Sequence, residues 1–270
     1  MHLLLATEHT EFDVGAERVA FALARRCGLP LAGVLPIVSN VEYETVAPEA
    51  VARVEAKAFE RVTVLREQAR AAGLDLDIRV RRGQEPYREI IAEAQDRGAD
   101  LIVIRRRGKQ SILANLLVGE MVGKVATHAP CSVLLVPRAA LLWSRRVLAA
   151  VDGTRAAPGV AETAARVAVE AGLPLRVVSV AVHDTSDERA AADAAVAAAT
   201  AVARSIGADV DGRTVAGRAA EAIVALAAES GADLIVAGRG GPGSHGRLHL
   251  GGNAHRIVGL ASSAVLVVKS

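Results

Sequence analysis

Gly98-Ala-Asp-Leu-Ile-Val103 recurs as Gly231-Ala-Asp-Leu-Ile-Val236, and Gly28-Leu-Pro-Leu31 recurs as Gly172-Leu-Pro-Leu175. The landmarks keep their order at offsets of 133 and 144 residues, so the chain is a duplication in which the first copy carries 11 extra residues between them. Those extras fall near Ser39 to Ala50, ahead of a long helix. Solenoid repeats have periods of roughly 20 to 50 residues, so units this long are whole domains. A chain of 270 residues holds two of them, each large enough to bury a core.

Within each copy, short apolar β-rich runs alternate with helical stretches, the pattern of a parallel sheet wrapped by right-handed crossovers. The strands expected in the first copy are Leu3 to Thr7, Leu31 to Val38, Leu76 to Arg81, Leu101 to Arg105 and Ser132 to Val136. In the second they are Val147 to Val151, Leu175 to Val182, Val210 to Val215, Leu234 to Gly238 and Ala264 to Val268. The expectation is an α/β chain of two tandem, Rossmann-like, doubly wound domains, 1–138 and 146–270. Each has a five-stranded parallel sheet in the order 3-2-1-4-5 with helices on both faces. Pro86 and Pro158 suit first helical turns, and Gly28, Gly73, Gly98, Gly172, Gly207 and Gly231 suit helix stops. Arg189 to Arg204 is Ala-rich with flanking charges, a surface helix. The linker from Arg138 to Arg145 carries Leu141, Leu142 and Trp143, which argues for packing and not free tethering.

Composition narrows the function. Apolar residues make up 51% and aromatics 2%, so the core is aliphatic, as helices on a parallel sheet require. A net charge of +2 gives no electrostatic footprint for nucleic acid or an anionic membrane, and so few aromatics leave no stacking platform for single strands. Cys27 and Cys131 are too few for a disulfide framework and lack metal spacing. No run is long and apolar enough to span a bilayer, and Leu3 to Leu5 meets Glu8 too soon for a signal peptide, so a cytoplasmic protein is expected.

Chemistry concentrates in one loop. After the fourth strand of the second copy the chain reads Gly238-Arg-Gly-Gly241, nine residues, then Gly251-Gly252-Asn253 opening a helix. Glycines let backbone amides approach phosphate oxygens, and the helix N-terminus adds a positive dipole end. In a doubly wound sheet the ligand crevice lies where the winding reverses, between first and fourth strands. There Asp152 closes the first strand and can accept hydrogen bonds from a base or ribose.

The glycine loop, the strand-ending Asp and the duplication together resemble the universal stress protein family, in its tandem two-domain form, over nearly the whole chain. The resemblance implies an ATP-binding signature. Asp152 and Val180 would flank adenine, Ala237 and Gly238 would lie beside ribose and base, and Gly241, Gly251, Gly252 and Asn253 would line the phosphates. The family often has Ser or Thr after the third glycine; here it is Gly252, which removes one hydroxyl contact. The ligand implied is ATP or another adenine nucleotide, with or without Mg. The role implied is a stress-response protein acting by nucleotide-dependent contact with a protein partner, with slow hydrolysis at most. By the same resemblance the last strands, Ser132 to Val136 and Ala264 to Val268, would pair the halves as a pseudo-dimer, with room for a homodimer. Two rivals stand beside this reading: an adenylate-handling hydrolase or transferase in the same crevice, and a nucleotide-free scaffold.

The first copy departs from the signature. Glu8 replaces the Asp, Pro36 falls where Val180 does, and Arg105-Arg-Arg-Gly108 replaces Gly238-Arg-Gly-Gly241. A long side chain at Arg105 would obstruct the crevice, and Glu120 after Gly119 would put negative charge in the phosphate position. Its nucleotide site is expected to be degenerate. His245 and His249 lack a thiol or carboxylate partner for a metal and suit phosphate contact with Arg247 better. His183 and Asp184 read as a polar loop and His255 as a helix-surface residue. No nucleophile elbow, Walker loop or catalytic carboxylate pair appears.

Overall fold

The computed structural model describes residues 1–39, 41–106, 120–240 and 250–269. They fall into two units, one running to Leu142 and the other from Trp143. The first contains β1 (Leu3–Ala6), α1 (Val14–Cys27), β2 (Leu31–Val38), α2 (Val41–Val46), α3 (Pro48–Ala71), β3 (Leu76–Gly83), α4 (Pro86–Asp96), β4 (Leu101–Arg105), α5 (Glu120–His128) and β5 (Ser132–Val136). The second contains β6 (Val147–Ala150), α6 (Ala157–Ala171), β7 (Leu175–Ala181), α7 (Ser186–Ser205), β8 (Val210–Ala216), α8 (Ala219–Glu229), β9 (Leu234–Gly238), α9 (Gly252–Leu260) and β10 (Ala264–Val268). Strand order is β3-β2-β1-β4-β5 in the first unit and β8-β7-β6-β9-β10 in the second. The pairs from β3 to β5, and those from β8 to β10, are parallel. Both units are thus the doubly wound α/β sheets expected.

The repeated hexapeptide performs one task twice. Gly98 and Gly231 take left-handed backbone at φ +56° and +67°, which ends the preceding helix without Cβ strain. Ala99 and Ala232 are buried. Asp100 then accepts a hydrogen bond from the His2 amide at 2.7 Å, and Asp233 accepts from the Ser144 amide at 2.8 Å. Each carboxylate thereby ties the chain entering the first strand to the start of the fourth, and the Leu-Ile-Val that follows is core. The other expected glycine stops also have positive φ.

Central strands are buried on both faces; Leu3, Leu4, Leu5, Ile102 and Val103, with Val147, Leu148, Ile235 and Val236, are at most 1% exposed. Helix faces packed on them supply small residues. Gly15 of α1 lies so close to the chain after β5 that an added Cβ would stand 2.1 Å from the Pro137 carbonyl oxygen. Edge strands differ. β3 alternates buried and exposed residues, and its Arg81 binds Glu89, Glu93 and Asp96 at 3.3, 2.7 and 2.8 Å, which holds the guanidinium pKa above its usual range. Charge along such an edge discourages further pairing.

Differences from the expected strands lie at their ends. Thr7 and Val151 donate to Val34 and Val178 carbonyls at 3.0 and 2.9 Å but fall just beyond β1 and β6, because the chain there turns toward the crevice. Val182 falls outside β7, β8 extends to Ala216, and β3 runs on to Gly83. The extra residues of the first copy form α2 and lengthen α3 to 24 residues, against 20 in α7. In the linker Trp143 is buried while Leu141 is exposed.

Candidate functional site

From β6 the chain of the second unit winds outward to β7 on one side, and from β9 to β10 on the other. Between these strands, at their C-terminal ends, opens a cavity of about 120 Å³. Asp152 and Gly238 stand at the two strand ends, Val180 and Ser179 come from β7, Ile223 from α8, and Asn253, Ala254 and Ile257 from α9. Its wall is therefore mostly apolar with a few polar groups, the composition of a small-molecule site.

Asp152 is oriented locally. Its Oδ1 accepts from the Thr154 amide at 3.0 Å and from the Thr154 hydroxyl, a turn that fixes the carboxylate at the rim. Opposite, Gly238 lines the cavity with backbone alone; a Cβ there would lie in ordinary contact with Val160 Cγ2 at 3.4 Å and Ala156 Cβ at 3.8 Å. The loop's far end is pinned to its near end by the Gly251 amide, which donates to the Arg239 carbonyl at 2.9 Å. Gly251 caps α9 with no side-chain hydrogen bond, so amides of the first turn have no side-chain acceptor at the cap.

Of the residues singled out from sequence, Asp152, Val180, Ala237, Gly238 and Asn253 meet in this cavity. Gly251 and Gly252 stand at the start of α9, outside its lining. Gly241, with His245, Arg247 and His249, lies outside the described residues. Ser179, Ile223, Ala254 and Ile257 were missed. The isoleucines read as ordinary helix core, but Ser179 is a lone hydroxyl in an apolar strand and 4% exposed, a signal available in Val177-Val-Ser-Val180.

His183 and Asp184 lie in a polar loop, as expected, while the reading of His255 needs correction. His183 is well exposed; its Nδ1 pairs with Glu188 Oε1 at 2.7 Å, which holds the Glu188 pKa down, so it trims the start of α7. His255, read as a surface residue, is half-buried, and desolvation pushes its pKa below the usual histidine value.

Strand register makes the first unit directly comparable. Ala6 pairs with Val34 and Ile104 as Ala150 pairs with Val178 and Ala237. Position for position, Glu8 matches Asp152, Pro36 matches Val180, Ile104 matches Ala237 and Arg105 matches Gly238. The slot between them is about 10 Å³, and beside it Glu8, Arg105, Glu120 and Lys124 line a wider, open cavity of about 370 Å³. Arg105 obstructs the strand-end slot, and Glu120 stands at the wider cavity beside it. Opening α5, Glu120 is exposed, paired with Lys124 at 2.9 Å one turn along the helix, and lines the wider cavity together with Glu8 and Arg105.

Among the described residues, no group of three or more His, Cys, Asp and Glu side chains stands where it could hold a metal, and no helix is long and apolar enough to cross a membrane. The profile of the universal stress protein family matches residues 1–137 and again residues 144–269. The chain belongs to the universal stress protein family. Among solved structures, this universal stress protein is similar to one from Archaeoglobus fulgidus DSM 4304, with 20% identity, a TM-score of 0.79, and coverage of 99% of this chain and 96% of that one. A putative universal stress protein from Pseudomonas aeruginosa UCBPP-PA14 is similar at 19% identity and a TM-score of 0.67, covering 100% of this chain and 93% of the other. Identities this low speak to the fold, which the two share with the universal stress protein described here. No curated protein matches the chain.

Proposed function

We propose that the second unit of this universal stress protein binds ATP or a related adenine nucleotide, and that occupancy changes which protein partner the chain contacts. The observation that carries the reading is the apolar cavity at the switch point, with Asp152 facing Gly238 across it and the start of α9 beside it. Val180, Ile223, Ala237 and Ile257 offer an apolar slot for a base, Asp152 an acceptor for ribose or base, and the first-turn amides of α9 donors for phosphate. Asn253 adds a side-chain amide on the α9 side. The residues present therefore fit the ligand. Mg would arrive on the phosphates, since no cluster among the described residues is built to hold it. No described side chain in the cavity is a histidine or a second carboxylate placed beside Asp152, so binding and signalling fit the lining better than turnover. The proposal is tested by titrating ATP, AMP and GTP into the purified chain by calorimetry. Saturable adenine-nucleotide binding at one site per chain is expected, and absence of any binding would overturn it.

A further inference from the structure

The first crevice contains a guanidinium of its own. Arg105, whose side chain is 7% exposed, donates from Nη1 to Asp13 Oδ2 at 2.7 Å and to Thr10 Oγ1 at 3.2 Å, and from Nη2 to Glu8 Oε1 at 2.9 Å. Asp13 is 1% exposed. It occupies the N-cap position of α1 without capping a helix amide; its Oδ2 instead gathers the Thr10 amide at 3.0 Å, the Thr10 hydroxyl at 2.6 Å and Arg105. A carboxylate buried this deeply needs a cation and several donors, or it would take up a proton. Arg105 ends β4 and Glu8 follows β1, so the clamp crosses the first unit's crevice along the line that joins Gly238 to Asp152 in the second. Its neighbours narrow the strand-end slot further: Ile104 and Met121 stand where Ala237 and Asn253 line the second unit's cavity, while the wider space of the first unit lies beyond Arg105.

We propose that Arg105 is an internal ligand, a guanidinium that permanently occupies the strand-end slot of the first crevice, holds the Glu8–Asp13 loop against β4 and keeps a nucleotide base out of that slot. The slot it fills, made by Glu8, Thr10 and Asp13, is selective for a planar forked cation, because two carboxylates and a hydroxyl must be reached at once. Lysine has three donors but no planar fork, so it would reach the three acceptors less well than a guanidinium. The proposal stands apart from nucleotide binding by the second unit, since none of its residues belongs to that cavity.

The test is amide hydrogen exchange across residues 8–13 of the full chain. In Arg105→Ala, exchange there should rise at least about tenfold as the loop loses its anchor. Free guanidinium at low millimolar concentration, far below denaturing levels, should return most of the protection, while urea and ammonium at the same concentration should not. The wild-type chain should not respond to any of the three. Should Arg105→Ala fail to fold, Arg105→Lys carries the same readout, with protection intermediate between wild type and a free loop. Unchanged exchange in either variant, or recovery of Arg105→Ala with urea or ammonium as readily as with guanidinium, overturns the proposal. ATP titration of the same variants should match wild type, which keeps this outcome separable from failure of the nucleotide reading.

Discussion

Gly238 and Arg105 occupy one structural position with opposite effects. Gly238 lines a cavity of only about 120 Å³, and a Cβ there would meet Val160 and Ala156 at ordinary contact distances from 3.4 Å, so a valine is mild for the fold but alters the cavity rim. Gly238→Val should therefore lower ATP affinity at least tenfold, about 1.4 kcal/mol, with the thermal midpoint nearly unmoved. Calorimetric titration beside a melting curve checks both halves. In the first unit, Asp13→Asn leaves Arg105 buried against a single carboxylate, and breaking a buried pair costs about 3–5 kcal/mol. Urea denaturation should show that loss in the first unit's transition. Sequence alone revealed that Glu8 and Arg105 break the nucleotide signature, since the repeat offsets align them with Asp152 and Gly238. It did not reveal Asp13, because its partner lies 92 residues away and only the folded crevice joins them.

Elements carry the next set of consequences. α1 approaches the strand-end carbonyl of Pro137 so closely that Gly15→Ala must push helix and chain apart, and overpacking of this kind costs about 1–3 kcal/mol. A falling melting temperature for the first unit alone would confirm it. α9 supplies Asn253, Ala254 and Ile257 to the second cavity and also carries His255, whose pKa is depressed by burial. Because the folded value lies below the unfolded one, near 6.5, the unfolded chain binds more protons on acidification. The contribution is complete above that value and is lost as pH falls through it toward the folded value. Thermal midpoints of the second unit should drop between pH 7.5 and 5.5, and His255→Gln should flatten the drop. Strand positions were legible nearly to the residue because parallel strands buried on both faces read as unbroken apolar runs. α2 was not, since its six residues show no helical period and appear in the sequence only as excess length.

At the scale of the chain, the two units should report ligand differently. Nucleotide that binds only the second unit stabilises it by mass action, about 2.7 kcal/mol at a hundredfold excess over Kd, and leaves the first alone. Scanning calorimetry with increasing ATP should move one transition upward while the other stays in place; movement of both would contradict the assignment. The Arg105 clamp then acquires a meaning beyond its own unit. Two open crevices in one chain could couple, each site sharpening or blunting the other's response. With the base slot of one filled by Arg105, occupancy follows a simple hyperbola with a Hill coefficient of one, so the chain would grade its output to nucleotide concentration and would not switch at a threshold.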